Sequence, residues 1–492
     1  MINLSKLIIL IFIMAINAGY AGAMRKYDNE LQNTISSINK GDLKSAKTII
    51  EKNNSSKNKD LLYYLEKSEV ERLERNESDI RATLFDADAK VKVWEEEAKV
   101  SPEKLIQGLG SVVLNDKTRR YDGRDYEKVF LTSRLVLAHT EAGDWDKARV
   151  EVKKMHEREA LIASINEKKV ADTVATSEQK GIKTTYKDLK GYPVETLDDP
   201  EVVALKNGYQ NAYSHYLAAF VYESLNEPAL AAAGYRQAIE LRPNDTVLED
   251  GLKGLDLRQK SGANKTDVLF VIETGFVPAI ESMQIPIPLP LAGSIGVVPV
   301  SFPLIKNNNE GFVPKELFID SNRHQLSQLT NVNTMARRSL RDEMPGIILR
   351  GAVRAITKAV AQNAAIKNDD TGIASLLLII GGFVVESADE RIWRTLPNNM
   401  LVARLALDEG SHEVIIKNQG AEFKHKVDVS GGAMIVSGRL TDNNFFVNKS
   451  VPTPKKVVAL APMPLVDEAN QAAEKATKKP IVKKKTSKKK KQ

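Results

Sequence analysis

The sequence contains no cysteine. Disulfides, thiolate nucleophiles, cysteine-ligated zinc and iron–sulfur clusters are therefore excluded. The absence fits either a reducing cytosol or an envelope protein that dispenses with disulfides. Aromatic residues make up only 6% of the chain, which suits helices packed with Ala and Leu. The six histidines, His139, His156, His215, His324, His412 and His425, never form H-E-x-x-H or another tight ligand pair. No phosphate-binding G-x-x-x-x-G-K-[ST] loop and no G-x-S-x-G elbow occurs. Gly108-Leu109-Gly110 lacks a third glycine. His139 and His215 read as packing or surface residues of helices, and His425 as a core residue on the apolar face of a strand. Asp86, Asp88, Glu95 and Glu97 read as a solvated helix face. No catalytic constellation, metal site or cofactor is expected, and the chain reads as a non-enzyme.

At 492 residues, with 42% hydrophobic and 27% charged residues, the chain is long enough for two or three domains. Its net charge of +7 is local. From Lys475 onward there are ten lysines and no acids, so the rest carries 71 − 10 = 61 basic against 64 acidic residues, or −3. Lys483, Lys484, Lys485, Lys488, Lys489, Lys490 and Lys491 form either an anionic-surface binding tail or a solubilising one. No aromatic residue interleaves with them, so base stacking is unsupported and no nucleic-acid partner is expected. At the other end, Lys6 precedes an apolar run from Leu7 to Ile16, followed by Ala21-Gly22-Ala23. That order describes a secretory signal peptide over residues 1–23, too short for a membrane span.

Residues 24–262 read as a helical domain. Leu43 follows a Gly41-Asp42 turn. Residues 60–99 are highly charged, with Leu62, Leu65, Val70, Leu73 and Ile80 as a sparse apolar set, which predicts an exposed helix or one needing a partner. Two segments carry a helix–turn–helix pattern. In residues 213–243, Tyr213, Tyr216, Leu217, Phe220 and Val221 share one helix face, Pro228 opens a second helix, and Ala231, Tyr235, Ala238 and Ile239 share another face before Pro243. Small residues at Ala219, Ala231 and Ala238 and a large one at Tyr222 match the tetratricopeptide (TPR) arrangement. Residues 126–152 repeat the theme, with Leu131, Leu135 and Ala138, an Ala142-Gly143-Asp144 turn, then Trp145, Ala148 and Val152. The two hairpins lie far apart in sequence, which predicts separated repeats and a short groove rather than a solenoid. Tyr216, Tyr222, Tyr235 and Arg236 are the residues expected near a protein-binding surface.

Residues 263–450 read as a mixed α/β domain, giving an α+β fold overall. Val268 to Ile272 form a buried strand. Prolines 286, 288, 290, 299 and 303 forbid a helix and a central strand in the apolar stretch 285–303. It is expected to pack over a surface or insert into a partner. Residues 345–366 predict an amphipathic helix begun by Pro345, and residues 373–385 a buried core helix. From Met400 the period falls to two, with turns at Gly410, Gly420 and Gly431-Gly432, predicting an antiparallel β-meander. The glycine turn before a His-x-Val strand is similar to the β-modules called PEGA. From about residue 451 the composition predicts a disordered tail.

Several of these stretches together resemble a little-characterised family of bacterial TPR-containing outer-membrane lipoproteins. They are Phe85-Asp86-Ala87-Asp88 with Trp94-Glu95, residues 121–127, 143–151 and 207–243, and Arg391-Ile392-Trp393-Arg394-Thr395-Leu396-Pro397. The resemblance implies periplasmic exposure, outer-membrane attachment and a link to envelope or peptidoglycan assembly. The family's lipid-carrying cysteine is missing: Tyr20 stands where it would sit, and Asn17 also departs from the lipobox. The expectation is an exported envelope scaffold, periplasmic or associated with the outer membrane, that binds other envelope proteins. A subunit of a surface or secretion complex, and an enzyme with a site in residues 263–450 invisible to motif reading, are the alternatives.

Overall fold

The computed structural model describes residues 27–54, 56–75, 77–107, 120–260, 265–291, 294–307, 312–368, 387–418 and 420–455. The expected signal peptide, Gly108-Leu109-Gly110, the apolar run 373–385 and the lysine tail lie outside the described residues.

Twelve described helices precede the first strand: α1 (Tyr27–Asn39), α2 (Leu43–Asn53), α3 (Leu61–Glu74), α4 (Glu77–Val100), α5 (Pro102–Gln107), α6 (Asp125–Glu141), α7 (Trp145–Lys180), α8 (Pro200–Ala204), α9 (Ala212–Ser224), α10 (Pro228–Leu241), α11 (Thr246–Lys253) and α12 (Leu255–Lys260). Short side chains set their starts by accepting from the first free N–H groups: Asp42 from Ser45, Asp60 from Tyr63, Asn211 from Ser214 and Asp245 from Val247. Gly143 at φ 79° and Asn226 at φ 63° let the chain reverse between α6 and α7 and between α9 and α10. The pairs α1/α2, α3/α4, α6/α7 and α9/α10 are antiparallel hairpins, and each hairpin packs on the next.

This stacking corrects the expectation of separated repeats. Residues 181–211 loop out, with two 3₁₀ turns and the short α8, so that α7 meets α9 directly. Ser133 and Ser214 on the two hairpins touch through their hydroxyls at 2.8 Å. The first helices of the hairpins (α1, α3, α6, α9) form one row and the second helices (α2, α4, α7, α10) another. The charged stretch 60–99 is likewise two helices. Asp88 is not solvated: its carboxylate is buried against Arg158 at 2.9 Å and Lys154 at 2.9 Å, while Glu95 takes Arg158 Nε at 2.6 Å.

The strands are β1 (Thr266–Thr274), β2 (Ile280–Leu291), β3 (Ser294–Ile305), β4 (Glu316–Ile319), β5 (Asn322–Gln325), β6 (Ser327–Asn331), β7 (Asn399–Leu407), β8 (Gly410–Asn418), β9 (Ala421–Val429), β10 (Ala433–Leu440) and β11 (Phe445–Lys449). One sheet has the order β11-β10-β1-β7-β6, another β5-β4-β8-β9, and β2-β3 form a ribbon. The fold is α+β, a helical region followed by sheets rich in antiparallel pairs. All four strands expected after Met400 are present, but β1 enters between β7 and β10, antiparallel to the first and parallel to the second. Its unbroken apolar run fits this central place, where the helices cover one face and the second sheet the other. His425 is half-buried at the surface, 3.4 Å from Arg75, not in the core as expected.

The layers follow from the period of two. On β1, Val268, Phe270 and Ile272 face the second sheet, packing with Leu317, Ile319, Val414 and Val427. Leu269 and Val271 face the helices and join a core with Tyr126, Leu135, Tyr213 and Phe220. A helix α13 (Val332–Asn368) carries the ribbon on its side. It starts thirteen residues before the expected Pro345, with Asn331 capping Thr334 N–H at 2.9 Å. Pro345 sits inside it, where the lost hydrogen bond falls on a half-exposed turn.

The loop between α8 and α9 lies flat on α13 at Gly208, where a Cβ would come within 2.6 Å of Ser339 N and 2.7 Å of its Cα. Two backbones must move apart to admit a methyl group. Gly208→Ala should therefore lower unfolding free energy by about 1–3 kcal/mol, measured by urea denaturation; an unchanged midpoint would contradict this packing.

Candidate functional site: the inner row of helices

The residues expected to bind a partner sit in the α9/α10 hairpin. Tyr216, Tyr222 and Tyr235 are 1%, 3% and 0% exposed. They belong to the core, not to a surface. Ala219 and Gly234 bring the two helices close, since a Cβ on Gly234 would lie 3.0 Å from that of Ala219. Tyr216 and Tyr235 pack ring to ring at 5.3 Å. Arg236 alone of the four is exposed, on the other side of α10. The seven tail lysines lie outside the described residues.

What fills the inner side of the row is the chain's own sheet. At one end, Tyr235 donates to Glu223 at 2.7 Å and receives Arg404 of β7 at 2.6 Å. Arg404 also pairs with Glu223 at 2.9 Å and Asp267 at 2.9 Å, and its guanidinium lies over the Phe220 ring. Burial would raise the Glu223 carboxyl, but Arg404 and Arg258 outweigh it and hold it low.

In the middle, Glu273 occupies the next helix-facing position of β1 after Val271. It is fully buried. Arg72 of α3 and Arg134 of α6 each bond one of its oxygens. Glu69 closes the group, taking Arg134 Nε at 2.6 Å and Arg72 at 3.3 Å. Burial alone would push the Glu273 carboxyl up; Arg134, Arg72 and Arg439 overcome that and bring it down to about 2. Arg439 of β10 donates to the carbonyls of Gly275 at 2.6 Å and Thr395 at 3.3 Å, and burial lowers it to about 9.

At the other end the row holds an extended segment, residues 387–398. Trp393 N–H donates to Glu127 of α6 at 2.7 Å, Arg394 N–H to Glu66 of α3 at 2.7 Å, and Thr395 N–H to Glu66 at 2.9 Å. Two carboxylates thus satisfy three successive backbone donors that no strand pairs. Tyr27 and Tyr121 add hydroxyl donors to Glu66 at 3.0 Å and Glu127 at 2.6 Å. The Trp393 ring is buried completely. Burial is the largest influence on Glu66 and lifts it to about 7, against the pull of its donors; Glu127 is raised for the same reason. Two small clefts, about 150 and 160 Å³, flank the seam between helices and strands. One lies beside Arg72, Arg75, Glu141 and Asn448, the other beside Tyr27, Asp60, Glu66 and Arg391.

Sequence reasoning found the hairpins and missed these side chains. Glu66, Glu69 and Arg72 lie in the charged stretch 60–99, read as an exposed helix or one needing a partner, and no motif singled them out. The one available signal was Glu273, a carboxylate closing an otherwise apolar strand.

The architecture defines a class: a stack of helical hairpins whose inner row is closed by its own β-sandwich. No family model and no curated protein matches the chain. Among solved structures, a tetratricopeptide repeat protein from Parabacteroides merdae is similar at 12% identity over 47% of this chain and 98% of that one, with a TM-score of 0.13. A superposition so loose carries no weight beyond the hairpin geometry already described.

Two predictions follow from the charges. Glu273→Ala strands Arg72 and Arg134 in the core and should cost about 3–5 kcal/mol, read by urea denaturation; a loss under 1 kcal/mol would place the network in water. The Glu273 contribution is present above the ordinary carboxylate range and fades as pH falls toward about 2. Glu66 has the opposite sign. Its folded carboxyl titrates near 7 against 4.5 unfolded, so its contribution is fullest below 4.5 and is lost as pH rises through 7. Between pH 5 and 8 it should remove about 3 kcal/mol, and the Glu66→Gln variant should lack that slope.

Proposed function

We propose that the protein is an exported, non-enzymatic scaffold of the cell envelope that binds other proteins through the outer row of its hairpins. One observation carries the choice of surface: the inner row, where a repeat protein would take a peptide, is filled by residues 266–274, 391–396 and 399–404 of the same chain. Among the described residues, parts of the outer row on α4 and α7 are uncovered. They expose Phe85, Val93 and Val100 on α4 at 46%, 43% and 81%, and Val170 and Val174 on α7 at 58% and 49%. Exposed apolar side chains on rigid helices are the usual material of protein interfaces. The leader-like residues 1–23 and the resemblance to envelope lipoproteins support the compartment. Without a lipobox cysteine, no thioether-linked lipid forms, and attachment falls to the tail or a partner.

Fractionation with N-terminal sequencing tests the compartment: the mature chain should begin at Met24 in the periplasmic or outer-membrane fraction. A cytosolic chain beginning at Met1 sinks the proposal. In the same cells, Phe85→Asp with Val93→Asp should abolish in vivo cross-links seen with the wild type, while Lys424→Ala, on the exposed side of β9, should leave them.

A further inference from the structure

The β2–β3 ribbon has a use that neither the hairpins nor the seam explains. Its pairing runs from Ile280↔Ile305 to Leu291↔Ser294. Between Ser282 and Ile305 there is no Asp, Glu, Lys or Arg, in a chain that is 27% charged. Glu281 and Lys306 close the base with an ion pair at 2.7 Å. One face of the base is seated on α13. Ile285, Val300 and Phe302 are buried there, and Val300 lies so close to Gly351 that a Cβ on that glycine would meet it at 2.6 Å. On the opposite face Pro286 and Pro288 are exposed, and Val297 is 68% exposed.

The prolines say what this free face meets. Pro286 stands directly opposite Pro299. Neither has an N–H, so this pair exchanges no hydrogen bond, and alternation makes 282↔303, 284↔301, 288↔297 and 290↔295 the non-bonded pairs too. All five prolines fall in that set. These are the positions whose backbone groups point outward, away from the partner strand. On β2 the outward donors at 286, 288 and 290 are therefore missing in succession. A strand from a second copy or another protein would need those donors to pair, so the β2 edge is closed to strand addition, while on β3 only 299 and 303 lack a donor. The absence of charge gives a protein partner no electrostatic handle either. In a water-poor medium the same deletion is favourable, because an unpaired N–H there costs several kcal/mol. The outward carbonyls, and the outward N–H groups left on β3 at 295 and 297, suit the lipid headgroup zone, where water, amines and hydroxyls donate and phosphates accept.

We infer that the β2–β3 ribbon is a membrane-interface anchor, which lays its proline–valine face into the headgroup–acyl boundary of a phospholipid bilayer while α13 holds its base. The envelope reading decides only which bilayer it meets; the ribbon itself is testable without it. In the full chain, Val297→Trp places a reporter on the exposed face, and the native Trp94, Trp145 and Trp393 are buried and give a constant background. Neutral phosphatidylcholine vesicles and phosphatidylethanolamine/phosphatidylglycerol vesicles should both shift its emission to the blue. Bromine-labelled acyl chains should quench it, and high salt should not reverse this. Pro288→Asp with Val297→Asp should lower flotation with neutral vesicles about tenfold, with an unchanged melting temperature showing that the fold survives. Emission unaltered by neutral vesicles overturns the inference. So does a blue shift that grows with protein concentration without lipid, which marks a second copy. Association confined to anionic vesicles at low salt, without quenching, assigns binding to the lysine tail and overturns it as well.

Discussion

A carboxylate on the helix-facing side of a central strand sets the terms for this fold. Glu273 points away from the sandwich and toward the helices, where no water compensates its charge. An isolated buried carboxylate would protonate or unfold its surroundings. Here two arginines from different hairpins reach it, and Glu69 balances them. Those arginines fix the rotation of α3 and α6 about their axes and the height of each along the strand. Once that is set, Glu66 and Glu127, farther along the same helices, fall in line with the backbone of residues 393–395. The arrangement adds little net stability compared with an apolar packing, but it penalises every other registration of helices on sheet.

The hairpins were legible in the sequence because their signal is local. A 3.6 period, a proline at the start of α10 and a glycine between α6 and α7 need no tertiary information. The strands after Met400 were legible for the same reason. The missing part was every relation between distant segments. Nothing local tells that α7 will meet α9 across thirty looped-out residues, or that β1 will part β7 from β10. Glu66 and Asp88 illustrate the cost. Each lies in a charged run, where solvent exposure is the ordinary reading, yet each is buried by a partner more than sixty residues away. Tyr216 and Tyr235 show the converse. Their spacing correctly marked a helix hairpin, but the hairpin's inner side faces the chain's own sheet, so residues expected on a surface are core.

The two rows of helices thus have unlike duties. The inner row is committed to the sandwich through Glu66, Arg72, Glu127 and Arg134, while the buried pair of Asp88 with Arg158 joins the outer helices to one another. The outer row and the proline ribbon keep their apolar groups in the open. Ribbon and outer row also differ in kind. Helix faces offer side chains on a closed backbone, while a ribbon has two raw edges, and here the prolines close the β2 edge.

One smaller contact bears on how such a chain comes together. Val451, beyond the last strand, bonds the turn between α6 and α7: its N–H meets Thr140 O at 3.0 Å, and its carbonyl takes Trp145 Nε1 at 2.8 Å. This helix pair is thereby finished by residues made some three hundred positions later. Long-range closure of this kind slows folding. During synthesis Arg72 and Arg134 would have Glu69 but not yet Glu273, so the buried network is completed only after the first strand is made.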